Sequence, residues 1–139
     1  MEKPPKSLTD TIDNYCGLRN FAHDELLKRS SVYDQIIKLN NKNLTAEAKR
    51  KGGLEQKEKV LALLGMHMLS GSNQSIEFAL SAALQVGATE NEIMDIVDLA
   101  LLTGGGRVVA SAHFAIGVLT HRGASGDKDD RFEFVVNIK

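Results

Sequence analysis

Two serines stand at the point where a polar stretch interrupts two apolar helical segments. Ser72 and Ser75 are spaced Ser-x-x-Ser, just ahead of the run IEFALSAALQVG. A serine at a helix start accepts a hydrogen bond from a free backbone N–H group, which predicts a helix cap. The functional alternative is contact with a small ligand, since a helix N-terminus favours anionic groups. Both serines are therefore candidate ligand-binding and catalytic residues.

A histidine precedes this pair on the neighbouring helical segment. His67 follows Leu63 and Leu64 by one helical turn, on the apolar side of the segment. An imidazole in this position serves either as a base or ligand-binding group, or as a buried side chain bonded to a backbone carbonyl. His67 is the third catalytic candidate.

A second histidine, His113, shares an apolar stripe with Val109 and Ile116. This spacing predicts a place in the core or in a subunit interface, and ligand binding is the alternative. His67 and His113 together supply two metal ligands, whereas a protein zinc site uses at least three. No third ligand has a matching spacing, so no metal site is predicted.

The chain has one cysteine, Cys16, in the segment DNYCGLR. A disulfide within the chain is therefore excluded, and a reducing compartment is expected. A reactive thiol needs a lowered pKa, and Arg19 is the one basic neighbour that could favour the thiolate. We predict a structural cysteine, with a reactive thiol as the alternative.

Length and composition restrict the class of protein. The chain has 139 residues, 42% hydrophobic and 25% charged, with a net charge of −1. These values predict one globular domain and give no general attraction to nucleic acid or anionic membranes. The first residues lack the apolar segment of a signal peptide, and no apolar run is long enough to cross a bilayer. A cytoplasmic location is expected.

Hydrophobic periodicity predicts a chain of helices with an aliphatic, alanine-rich core. The predicted helices cover residues 7–15, 21–30, 31–42, 54–70, 74–86, 92–104 and 107–121, and residues 45–53 predict a further short helix that ends in a break. Thr89 and Glu92 form a capping-box pattern ahead of the sixth of these. The glycine run 104–106 has no preceding strand, which excludes a phosphate loop and predicts a tight turn between helices.

The two ends of the chain have a different character from the centre. Residues 123–130, GASGDKDD, are polar and predict a linker. The last nine residues alternate apolar and polar side chains, which predicts an extended segment that pairs with another subunit or packs as a tail. We therefore divide the chain into an N-terminal helical extension (1–29), a core (30–121) and a linker with an extended tail (122–139).

Two segments of the core carry a family resemblance. GGLEQKEK (52–59) and ALQVGATENEI (83–93), with the polar helix start between them, resemble the carboxymuconolactone decarboxylase and alkylhydroperoxidase D superfamily. The resemblance extends over roughly residues 30–120. It implies an all-α, multi-helix fold and a homo-oligomer, usually a trimer or hexamer. It implies no cofactor.

The residues on which that superfamily's redox chemistry depends are replaced here. Its redox branch carries Cys-x-x-Cys-x-x-x-His, and the corresponding positions are Ser72, Ser75 and Ala79. The position of its relay glutamate falls on Val60, while Glu58 is close in sequence but points elsewhere on a helix. The decarboxylase branch resembles the redox branch in keeping the histidine, so Ala79 departs from both.

These replacements favour a function without thiol chemistry. Peroxide reduction needs a thiolate and a second thiol, and a serine hydroxyl forms neither a sulfenic acid nor a disulfide. Three hypotheses follow. The first is a non-redox small-molecule site lined by Ser72, Ser75 and His67, with His113 as a further candidate, which performs binding or proton transfer such as lactone decarboxylation. The second is an oligomeric structural or interaction protein, and the third is a thiol enzyme that uses Cys16. An open cavity that touches both His67 and Ser75 would favour the first.

Overall fold

The protein is an array of helices. The computed structural model describes residues 6–125, with side chains for residue 14 and residues 17–120. It contains six α-helices: α1 Lys6–Arg29, α2 Ser31–Asn43, α3 Gln56–Ser70, α4 Asn73–Gln85, α5 Glu90–Gly104 and α6 Val109–Ser125. Two 3-10 segments, Ala46–Ala48 and Gly105–Val108, complete the described structure, and residues 6–125 include no strand. The predicted all-α fold is confirmed.

Side-chain caps set the starts of the central helices. The predicted capping box of α5 is present: the Thr89 hydroxyl accepts from the Glu92 N–H at 3.1 Å, and the Glu92 carboxylate accepts from the Thr89 N–H at 2.9 Å. Helix α3 also begins with a capping box, made by Glu55 and Glu58. It starts two residues later than predicted, because Glu55 has extended backbone angles and acts as the cap.

The N-terminal region differs from the prediction of two short helices. Residues 6–29 form one helix of 24 residues, which continues through Gly17. A glycine costs a helix only about 1 kcal/mol, and the packing of α1 on α2 and α6 offsets that cost. At the other end, α6 continues to Ser125, so the first residues of the predicted linker are helical. The predicted extended segment, residues 131–139, lies outside the described residues.

Helix α3 lies at the centre of the packing. It contacts α4, α5 and α6, whereas α1 packs on α2 and α6. The core is built from aliphatic side chains and alanines, as the composition predicts, and its largest fully buried apolar members are Leu64, Met68, Ile76, Leu80 and Ile93. None of the described helices has both the length and the apolar character that crossing a bilayer requires.

The glycine run makes the predicted tight turn between α5 and α6. A Cβ atom on Gly104 would collide with Cγ2 of Val108, which is fully buried, and would lie 3.0 Å from Cδ2 of Leu69. Gly105 follows with a φ of 60°. Only glycine therefore allows the chain to turn this closely over the end of α3.

Side-chain hydrogen bonds hold the α2–α3 connection against α3. The Gln56 amide donates to the Leu44 carbonyl at 2.8 Å, and the Lys59 ammonium donates to the Ala48 carbonyl at 3.3 Å. Leu44 is itself buried in the core. The end of α2 is thus fixed beside α3, which helps to place one wall of the cavity described below.

Candidate functional site

A cavity of about 180 Å³ opens between α1, α2, α3 and α4. Its polar lining comes from all four helices and consists of Arg19, Tyr33, Asn40, His67, Gln74 and Ser75. Its apolar lining consists of Ile36, Ile37 and Phe78. Two of the residues that the sequence singles out, His67 and Ser75, therefore meet in one cavity.

His67 lies in the last turn of α3 and is partly buried. No described residue forms a hydrogen bond with its imidazole. The alternative of an imidazole bonded to a backbone carbonyl is therefore not found among the described residues. Burial lowers the pKa of His67 below its ordinary value of 6.5. The ring is therefore neutral at pH 7, and a neutral imidazole can accept a proton or a hydrogen bond from a ligand.

The two serines have different roles at the start of α4. Ser72 is the N-cap: its hydroxyl accepts from the Ser75 N–H at 3.3 Å and donates to the Ser75 hydroxyl at 3.0 Å. Ser75 is half-buried and lines the cavity, whereas Ser72 is exposed and does not. The cap interpretation thus holds for Ser72, and Ser75 is the one of the two serines that lines the cavity.

His113, Val60 and Ala79 are not part of the cavity lining. His113 is exposed on α6. Of its two expected places, the core is therefore wrong, and the subunit interface stays a prediction. Val60 and Ala79, which the sequence resemblance matched to a glutamate and a histidine, are fully buried core residues. Cys16 is on α1, and its side chain is outside the described residues.

Sequence reasoning missed an ion pair that includes one residue of the cavity lining, Arg19. Arg19 of α1 and Glu77 of α4 contact each other through Nη1 and Oε1, and their side chains are 3% and 1% exposed. Arg19 also donates to the side-chain oxygen of Asn20 through Nε, at 3.1 Å, and through Nη2. The signal in the sequence was Glu77 itself, a charged residue inside an apolar helical run.

The second oxygen of Glu77 has no hydrogen-bond partner among the described residues, and the same is true of the hydroxyl of Ser81 one turn later. Buried polar atoms in folded proteins are almost always paired. Glu77 therefore depends on Arg19 for the stabilisation of its charge.

A second polar contact joins α1 to α2 beside the cavity. The Tyr33 hydroxyl and Nδ1 of His23 share a hydrogen bond of 2.7 Å, and the two rings pack edge to face. Burial lowers the pKa of His23, reinforced by Arg19 and opposed by Asp24, and burial raises the pKa of Tyr33 against the opposing effect of Arg19. Both side chains are therefore uncharged at pH 7.

The described residues also include an apolar groove on the far side of α3. It lies between α3 and α5, has a volume of about 230 Å³ and is lined by residues such as Leu61, Met66 and Leu99. Met66 is 64% exposed and Leu99 is 58% exposed, and Leu102 nearby in sequence is 83% exposed.

Among the described residues, no three His, Cys, Asp or Glu side chains lie close enough together to bind a metal ion.

The fold and the site define an all-α domain with a mixed polar and apolar cavity between helices, and with one cysteine in the whole sequence. The chain belongs to the carboxymuconolactone decarboxylase family, whose model matches residues 35–116, more than half of the sequence. Comparison with curated proteins and with solved structures gave no significant match. Arg19 and Tyr33 precede the matched region, so the cavity extends beyond the part of the chain that defines the family.

Proposed function

We propose that this family member binds a small molecule in the cavity between α1, α2, α3 and α4, and that chemistry there is proton transfer rather than thiol chemistry. The observation that supports this proposal is the meeting of His67 and Ser75 in one cavity. The two residues are on different helices and are brought together only by packing of α3 on α4.

The chemistry of the lining fits this function. A neutral His67 is able to take a proton from a bound molecule, and the Ser75 hydroxyl is able to donate or accept a hydrogen bond. A cavity of about 150 Å³ is enough for a benzene molecule, so the present cavity of about 180 Å³ suits a single ring or a short chain with a polar group. A ligand of this size would fill the space between the polar end and the apolar wall.

Titration of ¹⁵N-labelled protein with single-ring and short-chain amides and carboxylates tests the proposal. The expected result is saturable shifts of the backbone amide signals of His67, Gln74, Ser75 and Phe78. Ser75→Leu places a larger side chain in the cavity and should abolish these shifts. Ala110→Leu makes a small-to-large change at an exposed position of α6 outside the cavity lining, and should preserve them. Shifts that persist unchanged in Ser75→Leu would contradict the proposal.

We further propose that the chain assembles as a homo-oligomer, a trimer or hexamer, through the apolar side of α3 and α5. Large exposed apolar side chains of this kind are typical of protein interfaces, and Met66, Leu99 and Leu102 supply them. Light scattering after size-exclusion chromatography should give the mass of an oligomer for the wild type and a smaller mass for Leu102→Glu. An oligomer with no ligand bound in the cavity would instead favour the structural alternative.

A further inference from the structure

We propose that Glu77 sets the charge of the ligand: by neutralising Arg19 in the cavity lining, it makes the site select uncharged molecules over anions. This inference rests on the proposed function, since it assigns the chemical class of the ligand of the same cavity. It also assigns a specificity role to a residue that does not itself line the cavity.

Arg19 and Glu77 differ in their access to the cavity. Arg19 lines it, although the residue is only 5% exposed. Glu77 is fully buried behind the lining and contacts the guanidinium. An arginine in a binding cavity ordinarily attracts carboxylates, because its planar group pairs with them in a two-point contact. Here the carboxylate of Glu77 already pairs with the guanidinium of Arg19.

The energetics of a bound anion follow from this pairing. An anion beside Arg19 would be attracted by the guanidinium and repelled by Glu77, and the two effects largely cancel at the distance of a ligand. The anion would still lose its hydration on entering the cavity, which costs several kcal/mol for an unpaired charge. An uncharged ligand avoids that cost and buries the same apolar surface.

The remaining lining has the properties that an uncharged ligand requires. Among the described lining residues, Arg19 is the one with a permanent formal charge. Tyr33, Asn40, Gln74 and Ser75 offer neutral hydroxyl and amide groups. The apolar wall accepts a ring or a chain. The ligand class is therefore an uncharged, mostly apolar molecule with one hydrogen-bonding group.

Matched pairs of probes separate charge from shape. Benzamide and benzoate have nearly the same outline, and so do hexanamide and hexanoate, but the second member of each pair is an anion at pH 7. We would titrate all four compounds into wild type, Glu77→Gln and the double variant Arg19→Gln/Glu77→Gln, and follow the amide signals of the cavity residues. Circular dichroism of each variant reports whether it remains folded.

In the wild type, each amide is expected to bind more tightly than its carboxylate by about tenfold or more. Glu77→Gln keeps the shape of the side chain and removes the compensating charge, so the carboxylates should gain about tenfold in affinity relative to the amides. The double variant carries neither charge and should lose that gain. It leaves no isolated buried charge, and it shows whether the gain depends on the charge of Arg19. If Glu77→Gln alone does not fold, the comparison of amides with carboxylates in the wild type still tests the assignment of an uncharged ligand.

Each other outcome overturns a distinct statement. If the wild type binds carboxylates as tightly as amides, the assignment of an uncharged ligand is wrong. An amide preference that is the same in wild type and in Glu77→Gln would overturn the role of Glu77. Absence of saturable shifts at the cavity for all four compounds would overturn the proposed function and this inference with it.

Discussion

Arg19 and Glu77 form a buried ion pair that joins a helix outside the family match to a helix inside it. Arg19 is on α1, and Glu77 is near the middle of α4. The N-terminal helix is therefore fixed to the family core by charge as well as by packing on α2 and α6. The predictions below test this relationship and the parts of the site that depend on it.

Removal of one partner of this pair should destabilise the fold strongly. Arg19→Met leaves Glu77 buried without compensation, which is expected to lower the free energy of unfolding by about 3–5 kcal/mol. Arg19→Met/Glu77→Leu removes both charges and should cost less than the single change, because no isolated charge remains. Urea unfolding followed by circular dichroism measures both values.

A surface pair provides the control for that experiment. Lys38 and Asp34 form an exposed ion pair of 2.8 Å on α2, and Lys38→Met should change stability little, since exposed pairs contribute little. If Arg19→Met lowers the free energy of unfolding as little as Lys38→Met does, the buried pair does not stabilise the packing of α1.

The chain should show no thiol-dependent hydroperoxide turnover. Its single cysteine, Cys16, has no second thiol in the chain to resolve an oxidised form. A coupled peroxidase assay should give the same background rate for wild type and for Cys16→Ser. Turnover in the wild type that disappears in Cys16→Ser would show that the thiol chemistry uses Cys16.

Introduction of two cysteines at the start of α4 tests whether this position supports redox chemistry. The hydroxyl oxygens of Ser72 and Ser75 are 3.0 Å apart, so sulfur atoms at these positions need only a small rotation to reach bonding distance. Ser72→Cys/Ser75→Cys should form a disulfide, detectable by mass spectrometry after thiol alkylation. Its peroxide turnover should stay low, because the buried Val60 and Ala79 supply no proton relay. Rapid turnover would contradict that view.

Stability should fall as the pH is lowered through the ordinary histidine range. Burial lowers the pKa of both His23 and His67 below 6.5, so the unfolded chain binds protons at a pH where the folded chain does not. Stability rises with pH wherever the unfolded state binds more protons. The stabilising effect of neutral histidines is therefore complete above pH 6.5 and is lost progressively below it.

Thermal unfolding between pH 5 and 8 measures this dependence, where the range is chosen to span the ordinary histidine pKa. His67→Gln and His23→Gln should each remove part of the acid-induced loss, and the double variant should remove more than either. A wild-type melting temperature that rises as the pH falls would be opposite in sign to this prediction.

The turn between α5 and α6 should tolerate a side chain at one glycine and not at another. Gly104→Ala places a methyl group against Val108, and overpacking of this kind costs about 1–3 kcal/mol. At Gly106 an added Cβ meets nothing within 4 Å. Gly106→Ala is the matched control and should stay close to wild type in urea unfolding. Equal stability of the two variants would show that the turn relaxes easily.

Local sequence signals predicted most of the helices, because periodicity and caps act within a few residues of the chain. Thr89 and Glu92 identified the start of α5, and the glycine run identified the turn after it. The same signals missed the continuity of α1 through Gly17, since packing on other helices decides whether a glycine interrupts a helix. His67 and His113 had similar apolar neighbours, yet one lines the cavity and the other is exposed.

By itself, the sequence determined that the chain is helical and that its core resembles this family. It also determined that the chain has one cysteine, whereas peroxide reduction by a pair of thiols needs two. These properties depend on residue types and on short spacings. Only the tertiary structure decided that Arg19 contacts Glu77, and that His67 and Ser75 line one cavity. The physical reason is that periodicity identifies the buried side of each helix but not the helix that covers it, and the cavity exists only between the covered sides.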